Sequence, residues 1–290
     1  MRNEKYLVRE MKYFEEERKP SVQIIVATHK KYRMPTDSMY IPLHVGAKGQ
    51  RDKDDGALEL GYIKDDTGDN ISELNSSFCE LTGLYWAWKN LEADYIGLVH
   101  YRRHFSMKRK RDLWDSVLTY GQLEPYLGKI KVFTPNKRRY YIETLYSHYK
   151  HTHYVNQLDE AGQVIKEKHP EYAKSYDRVT KHRYGYMFNM VIIEKEQLSE
   201  YCLWLFGILF EIQKRLGAQE GLSFYQGRFY GRLAEIVFNV WLDKKIIFGE
   251  LQKDEIMEIP CIHMEKTDWK KKGAAFLKAK FLGKRYEGSF

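Results

Sequence analysis

The alternation of apolar and polar positions predicts a helix followed by a buried strand near the start of the chain. Apolar side chains recur at spacings of three and four, as on one helix face: Phe78, Leu81, Tyr85 and Trp88. We expect this helix, residues 75–90, to end at Asn90. The apolar run that follows, residues 95–99, has the length of a strand covered on both faces.

Further apolar runs extend the same alternation of strands and helices along the chain, which indicates an α/β fold. The other predicted strands lie at 22–27, 40–47, 130–135 and 184–193, with short extended segments at 246–248 and 256–262. The other predicted helices lie at 142–154, 155–180 with a break at Pro170, 196–216 and 228–242. We expect residues 1–262 to form a single domain and residues 263–290 to form a tail.

Basic side chains follow directly after the predicted strand at 95–99, and they are the strongest sign of a binding site. They are His100, Arg102, Arg103 and His104. In open α/β sheets, ligands bind beyond the carboxyl ends of the strands. Guanidinium groups match phosphate oxygens in geometry and charge, so this cluster predicts an anion site. The alternative is a basic surface loop.

Polar side chains also end the first strand, at Thr28, His29 and Lys30. Their position suits a nucleotide base or ribose, although a simple exit from strand to loop is an equal alternative. Asn189 is unusual inside an otherwise apolar strand, because a buried amide needs partners. It either braces the backbone or faces a ligand.

One carboxylate, Glu235, lies between apolar residues of a predicted helix. Such a group is either paired with Arg228 or Arg232 or held in a cleft, where it could act as a base. His148 and His151 have a spacing that can hold a metal, but no HExxH motif accompanies them. The acidic loop containing Asp65 and Asp69 does not match a calcium-binding loop. We therefore predict no metal site.

Composition and charge narrow the class of partner. The chain has 290 residues, a net charge of +8 and 15% aromatic residues. The positive charge favours polyanionic partners: nucleic acid, phosphorylated ligands or an anionic membrane surface. The three cysteines are far apart and contain no CxxC motif, which favours reduced core residues in a cytoplasmic protein. No apolar run approaches the roughly 18–20 residues that span a bilayer.

The tail from 263 to 290 combines many lysines with a few apolar side chains. Trp269, Phe276, Leu277 and Phe281 are spaced among Lys270 to Lys284. This pattern is typical of an interfacial helix drawn to anionic lipids. The alternative is a helix docked on the domain with its lysines in solvent.

The stretches CELTGLYWAWKN and YIGLVHYRRHF, with ATHKKY, PLHVGA, GDNISELN, MFNMVIIEKE, EYCLWLF and AEIVFNVWL, carry a resemblance to a known family. From Ile24 to Ile262 the chain resembles bacterial capsular and exopolysaccharide glycosyltransferases, long catalogued as a domain of unknown function. The resemblance implies a GT-A-like fold: a nucleotide-binding sheet flanked by helices, with a helical C-terminal part. It also implies a UDP-sugar donor, with galactose or galactofuranose as the first choice, and a lipid-linked glycan acceptor at the inner face of the plasma membrane.

Under this resemblance, Thr28, His29 and Lys30 would lie near the nucleoside. Asn70, Asn75 and Glu80 would frame the pocket. An inverting reaction needs a base, for which Glu235 is the first candidate and Asp69 or Glu80 are others.

One departure from the family pattern bears on the metal. Most GT-A enzymes carry a DxD pair after the equivalent strand, whereas this chain has His100 to His104 there. Arginine repels a cation and can neutralise phosphate itself. We therefore predict that Arg102 and Arg103 stabilise the diphosphate without a metal; Mn²⁺ or Mg²⁺ stays an open alternative.

Two alternatives from other classes remain at this point. One is a nucleic-acid-binding protein, which the net charge and the run of four basic residues at 108–111 would permit. The other is a non-catalytic scaffold of a polysaccharide assembly complex. Binding of UDP or of oligonucleotides separates the first alternative from a glycosyltransferase.

Overall fold

The structure is a computed structural model that describes residues 18–51, 56, 58–217, 221–265, 276, 278–280, 283 and 288. The predicted domain of residues 1–262 is therefore described without residues 1–17, 52–55, 57 and 218–220. Most of the predicted interfacial tail, including residues 269–275, lies outside the described residues. Among the helices of the described part, none is both long and apolar enough to cross a membrane.

A nine-stranded mixed sheet forms the centre of the described structure. Its main path runs in the order β10-β6-β9-β4-β1-β2-β3, and β5 and β11 extend it from the end of β4. The strands are β1 (Val22–Thr28), β2 (Tyr40–His44), β3 (Ile63–Lys64), β4 (Tyr95–His100), β5 (Arg103–Phe105), β6 (Val132–Pro135), β9 (Val191–Glu194), β10 (Ile256–Ile259) and β11 (Cys261–His263). A separate two-stranded sheet pairs β7 (Arg138–Arg139) with β8 (Tyr184–Gly185).

The connection between β1 and β4 fixes where a ligand can bind. Both strands are parallel, with Ala27 opposite His100. From β1 the chain first moves to one side, through β2 and β3, and then returns to the other side as β4. The carboxyl ends of β1 and β4 therefore meet where the direction of winding reverses, which is where open α/β sheets leave a crevice for ligands.

Helices cover the sheet and complete the apolar cores. They are α1 (Asn75–Phe78), α2 (Leu81–Asn90), α3 (Tyr120–Leu123), α4 (Leu145–Thr152), α5 (Val155–Lys168), α6 (Ala173–Val179), α7 (Lys195–Leu216), α8 (Phe224–Gly227) and α9 (Phe229–Ile247). One core lies between the sheet and the long helices α2, α5, α7 and α9. A second core, centred on Tyr95, Phe105 and Phe133, covers the other face. The prediction of an α/β sheet flanked by helices, with a helical C-terminal part, is confirmed.

Three predicted elements differ from the structure. The helix predicted over 75–90 is broken at Cys79, whose φ of 57° leaves the helical region. The strand predicted over 184–193 is interrupted, because Phe188 and Asn189 adopt φ values of 80° and 53°. The extended segment predicted at 246–248 is wrong, since α9 continues to Ile247. Cys79 and Phe188, where the first two elements break, both line one cleft beside the carboxyl end of β4.

Candidate active site

A cleft of about 310 Å³ opens beside the carboxyl end of β4, between α4 and α9. Its walls combine many cationic groups with two carboxyl groups. The charged residues that line it are Arg102, Arg103, Arg138, Arg228, Arg232, Glu80 and Glu235. Five guanidinium groups against two carboxyl groups give the cleft an excess of positive charge, which suits an anionic ligand.

The turn at Phe188 and Asn189 organises the acidic side of the cleft. The N–H of Phe188 donates to Oε1 of Glu235 at 3.0 Å, and its carbonyl accepts from Nε2 of His100 at 2.6 Å. The Asn189 amide donates to Oε1 of Glu80 at 2.7 Å and to the Gly231 carbonyl at 2.9 Å. Left-handed backbone at non-glycine residues is costly, and it persists where surrounding contacts determine it fully. Here the turn at Phe188 and Asn189 connects three other predicted site residues, His100, Glu80 and Glu235.

Glu235 has the protonation behaviour expected of a base that works near neutral pH. Burial, reinforced by the negative charge of Glu80, raises its pKa from 4.5 to about 7. The positive charges of Arg138 and Arg103 act in the opposite direction. A carboxyl group with a pKa near the working pH can both take up and release a proton during turnover.

His100 presents a fixed tautomer to the cleft. A carbonyl oxygen only accepts, so the short contact with Phe188 requires the proton on Nε2. Burial lowers the pKa of His100 below its usual value, so the ring is neutral at pH 7 and its Nδ1 is an acceptor. The ring thus braces the turn and adds no charge of its own.

The arginines are held by the protein at different depths. The Arg103 guanidinium lies 3.9 Å from the centre of the Phe188 ring, and burial lowers its pKa. Arg228 donates from Nε to the sulfur of Cys79 at 3.0 Å. Arg102 is 46% exposed and forms an ion pair with Glu265 at 3.2 Å. An anion entering the cleft would therefore meet guanidinium groups that are already positioned.

The helix break at Cys79 explains how Glu80 reaches the cleft. Cys79 is buried, and burial raises the pKa of its thiol to about 11, so it stays protonated. Because the chain leaves the helix at Cys79, α2 starts after Glu80. Glu80 therefore occupies the start of a helix, where a carboxylate interacts favourably with the helix dipole.

The other wall of the cleft contains residues that sequence reasoning did not assign to the site. They are Tyr140, Leu145, His148, Tyr149, His153 and Tyr225. His148 and His151 had the spacing of metal ligands, but their Nδ1 atoms both contact the buried carboxylate of Glu143, at 2.7 and 2.6 Å. Burial lowers the pKa of His148 to about 4, so its ring is neutral at pH 7.

Three predicted site residues lie in a loop network that the structure does not bring to the cleft. Asp69 accepts a hydrogen bond from the Tyr85 hydroxyl at 3.1 Å and is exposed. The Asn70 amide donates to a backbone carbonyl of its own turn at 3.0 Å. The Asn75 amide donates to the Cys79 carbonyl at 2.7 Å, across the helix break.

The remaining predicted residues lie at the end of β1 and in the opposite core. The Thr28 hydroxyl closes a turn by donating to the Lys30 carbonyl at 2.7 Å. Burial and the positive charge of Arg228 lower the pKa of His29, which is not among the residues that line the cleft. His104 is fully buried in the core on the other face of the sheet, so the structure does not bring it to the cleft.

Fold and cleft together define a protein of GT-A-like architecture with a cationic site at the strand ends. The chain belongs to a family described as a domain of unknown function, DUF4422, which matches residues 23–246. It is also similar to the solved apo structure of WbbM, named a bifunctional glycosyltransferase, with a TM-score of 0.75 and 28% identity. The predicted membership of a glycosyltransferase-like family is confirmed.

The similarity to WbbM covers 85% of this chain and 46% of that chain. The protein described here therefore spans about half the length of that glycosyltransferase. No curated protein matches the chain.

Proposed function

We propose that this protein is a glycosyltransferase that uses a nucleotide-sugar donor. The observation that carries the proposal is the placement of five arginines around the Glu80–Glu235 pair, at the strand ends of a GT-A-like fold. The positive groups suit a diphosphate, and the carboxyl group with a pKa near 7 suits deprotonation of an acceptor hydroxyl. Both requirements of sugar transfer meet in one cleft.

In the proposed reaction, an acceptor hydroxyl attacks the anomeric carbon of the donor sugar. The new glycosidic bond forms as the bond from that carbon to the phosphate oxygen breaks. The hydroxyl proton passes to Glu235, and the nucleoside diphosphate leaves with the electron pair of the broken bond. Guanidinium groups of Arg103 and Arg228 stabilise the negative charge that develops on the leaving oxygen.

The side chains of the cleft support a diphosphate site in which arginine takes the place of a divalent cation. The turn after β4, where related folds carry a DxD pair, places Arg102 and Arg103 instead, and these repel a cation. One oxygen of each cleft glutamate is already taken by Asn189 or Phe188. The described residues also contain no group of three or more His, Cys, Asp or Glu arranged to hold a metal. We propose that arginines take the metal's role.

The finer assignments rest on the family resemblance. We propose a UDP-sugar donor, with galactose in its pyranose or furanose form as the first choice. The acceptor would be a lipid-linked glycan of capsule or exopolysaccharide synthesis. The protein would then act in the cytoplasm at the inner face of the plasma membrane, where such acceptors are presented.

A panel of UDP-, GDP-, dTDP- and CMP-sugars tests the proposal. We expect slow hydrolysis of one UDP-sugar, and we expect UDP to raise the melting temperature. The same activity in EDTA and in Mn²⁺ supports the arginine assignment, whereas strict dependence on Mn²⁺ contradicts it. Absence of hydrolysis and of nucleotide binding would instead indicate a scaffold, and tight oligonucleotide binding would indicate a nucleic-acid-binding protein.

A further inference from the structure

A patch of exposed aromatic, aliphatic and cationic side chains lies beside the cleft. We name it the rim patch and define it as Arg139, Tyr141, Ile142, Lys181, Arg183 and Tyr184. Tyr141 and Ile142 are adjacent in sequence and are 78% and 62% exposed. Large apolar side chains displayed this openly, next to one another, commonly mark an interaction surface.

Backbone contacts make the rim patch one continuous surface. In the small sheet of β7 and β8, Arg139 stands opposite Tyr184. The Tyr140 N–H donates to the Arg183 carbonyl at 2.8 Å, and the Arg183 guanidinium donates to the Tyr141 carbonyl at 3.2 Å. Two segments that are some forty residues apart, 139–142 and 181–184, are thereby held side by side.

The rim patch and the cleft wall share one short segment, residues 138–142. Arg138 and Tyr140 line the cleft, while Arg139 and Tyr141 between and after them are exposed. The extended backbone of β7 places Arg138 and Arg139 on opposite sides, and the chain then turns at Tyr141. Tyr141 has a φ of 51°, so its backbone is held in a left-handed conformation. The fold thus fixes an exposed apolar pair at the lip of the cleft.

The cationic members of the rim patch have no acidic partner in the described part of the chain. Arg139, Lys181 and Arg183 form no ion pair within 4.0 Å among residues 18–51, 58–217 and 221–265. The nearby carboxylate of Glu143 is buried and occupied by two histidines. Uncompensated positive charge beside exposed apolar side chains is the chemistry of a surface that meets anionic lipid headgroups.

We infer that the rim patch docks this protein onto an anionic phospholipid surface, with Tyr141 and Ile142 entering the boundary between headgroups and acyl chains. A nucleic acid would pair with the cations but would leave Ile142 in water. Two described tail residues contact the domain beside this patch: the ring centres of Phe276 and His148 are 5.9 Å apart, and Nζ of Lys280 lies 4.0 Å from the buried carboxylate of Glu143. The inference rests on the proposed function, since a lipid-linked acceptor would reach the cleft from this side.

Vesicle flotation with the full chain tests the inference, using phosphatidylcholine vesicles with and without phosphatidylglycerol. We expect binding only to the anionic vesicles. The charge variant Arg139→Glu/Arg183→Glu should lose at least about thirtyfold in affinity for the anionic vesicles. The apolar variant Tyr141→Ser/Ile142→Ser should bind about tenfold more weakly.

Matched controls alter the same chemistry elsewhere on the surface. Lys174→Glu/Lys214→Glu makes the same change in charge at two exposed lysines. Ile247→Ser/Phe248→Ser removes another adjacent apolar pair, which is 54% and 61% exposed. Both controls should bind anionic vesicles within about threefold of the unaltered protein, because non-specific attraction to net charge is weak at physiological salt.

Three results would overturn the inference. The first is that the unaltered protein does not bind anionic vesicles, and the second is that both patch variants bind as well as it does. The third is that neutralising Lys270, Lys271 and Lys272 alone abolishes binding that the patch variants retain. Hydrolysis of a soluble donor, measured in parallel, should be unchanged in the patch variants. If the unaltered protein binds vesicles through the rim patch but hydrolyses no donor, the docking inference stands and the proposed function fails.

Discussion

Two carboxyl groups of this protein have opposite surroundings: Glu235 faces the arginine-lined cleft, and Asp65 lies in a closed network of hydrogen bonds. Asp65 is fully buried and accepts from the N–H groups of Gly46 and Ala47 and from the hydroxyls of Ser72 and Thr82. The fold itself therefore satisfies this carboxylate completely. Glu235 has one bond to the backbone of Phe188 and otherwise faces a cleft.

The difference shows that an acidic residue in a polar cluster is not by itself a sign of a functional site. What separates the two carboxyl groups is the number of hydrogen-bond donors that the protein supplies to each: four to Asp65 and one to Glu235. The four hydrogen bonds of Asp65 hold together the segments that contain Gly46, Ser72 and Thr82. A buried carboxylate with few donors keeps its proton to a higher pH and remains available for chemistry. Substitution of each carboxyl group in turn therefore tests whether its surroundings decide its role.

The substitution Glu235→Gln should have the largest effect, which is a loss of turnover. The glutamine can still accept from the Phe188 N–H, so the turn should keep its shape. Loss of the base should lower kcat about 10²–10⁴-fold, with little change in UDP affinity, as measured by steady-state kinetics and calorimetry. The matched control is Asp69→Asn, an exposed carboxylate away from the cleft, which should keep its turnover. Equal loss of turnover and of UDP affinity would make Glu235 structural.

The next effect is on stability, in Asp65→Ala. Removing this carboxylate leaves two buried hydroxyls and two buried N–H groups without their acceptor, which should cost roughly 3–5 kcal/mol of unfolding free energy. Chemical denaturation measures it, and Asp66→Ala supplies the neighbouring control. Turnover of the fraction that remains folded should be nearly normal. A stable, inactive Asp65→Ala would contradict the structural role of this cluster.

A smaller effect is the pH dependence of stability that Glu235 contributes. Its folded pKa of about 7 exceeds its ordinary value of 4.5. The protein therefore keeps the full contribution of the neutral carboxyl below pH 4.5 and loses it as pH rises through 7. Glu235→Gln should gain roughly 1–3 kcal/mol relative to the unaltered protein between pH 5 and pH 8. A constant difference across that range would contradict the raised pKa.

The sequence was sufficient to predict features that depend on local pattern. The strands at 22–27 and 95–99, the cationic run after β4 and the isolated Glu235 all follow from periodicity and neighbours. The arginines at 138, 228 and 232 were not predicted as ligands of this site, because only the folded chain brings three distant segments to one cleft. The breaks at Cys79 and Phe188 were missed for a related reason: tertiary contacts, not local propensity, hold those residues at positive φ.

The position of His104 shows that consecutive polar residues need not belong to one binding site. Arg103 and His104 are neighbours on β5, so their side chains point to opposite faces of the strand. Arg103 lines the cleft, whereas His104 is buried in the opposite core against Tyr40. Burial lowers the pKa of His104 to about 4, so it is a neutral core residue at pH 7. Strand alternation within a polar run therefore decides which members can share a site.

The most direct test is the affinity for UDP in EDTA, measured by calorimetry for the unaltered protein and for Arg102→Gln/Arg103→Gln. The control is Arg109→Gln/Arg111→Gln, which removes two exposed arginines of the following loop. The account predicts binding without metal, about tenfold or more weaker in the cleft variant and unchanged in the control. Equal affinity in all three proteins, or no UDP binding until a divalent cation is added, would contradict it.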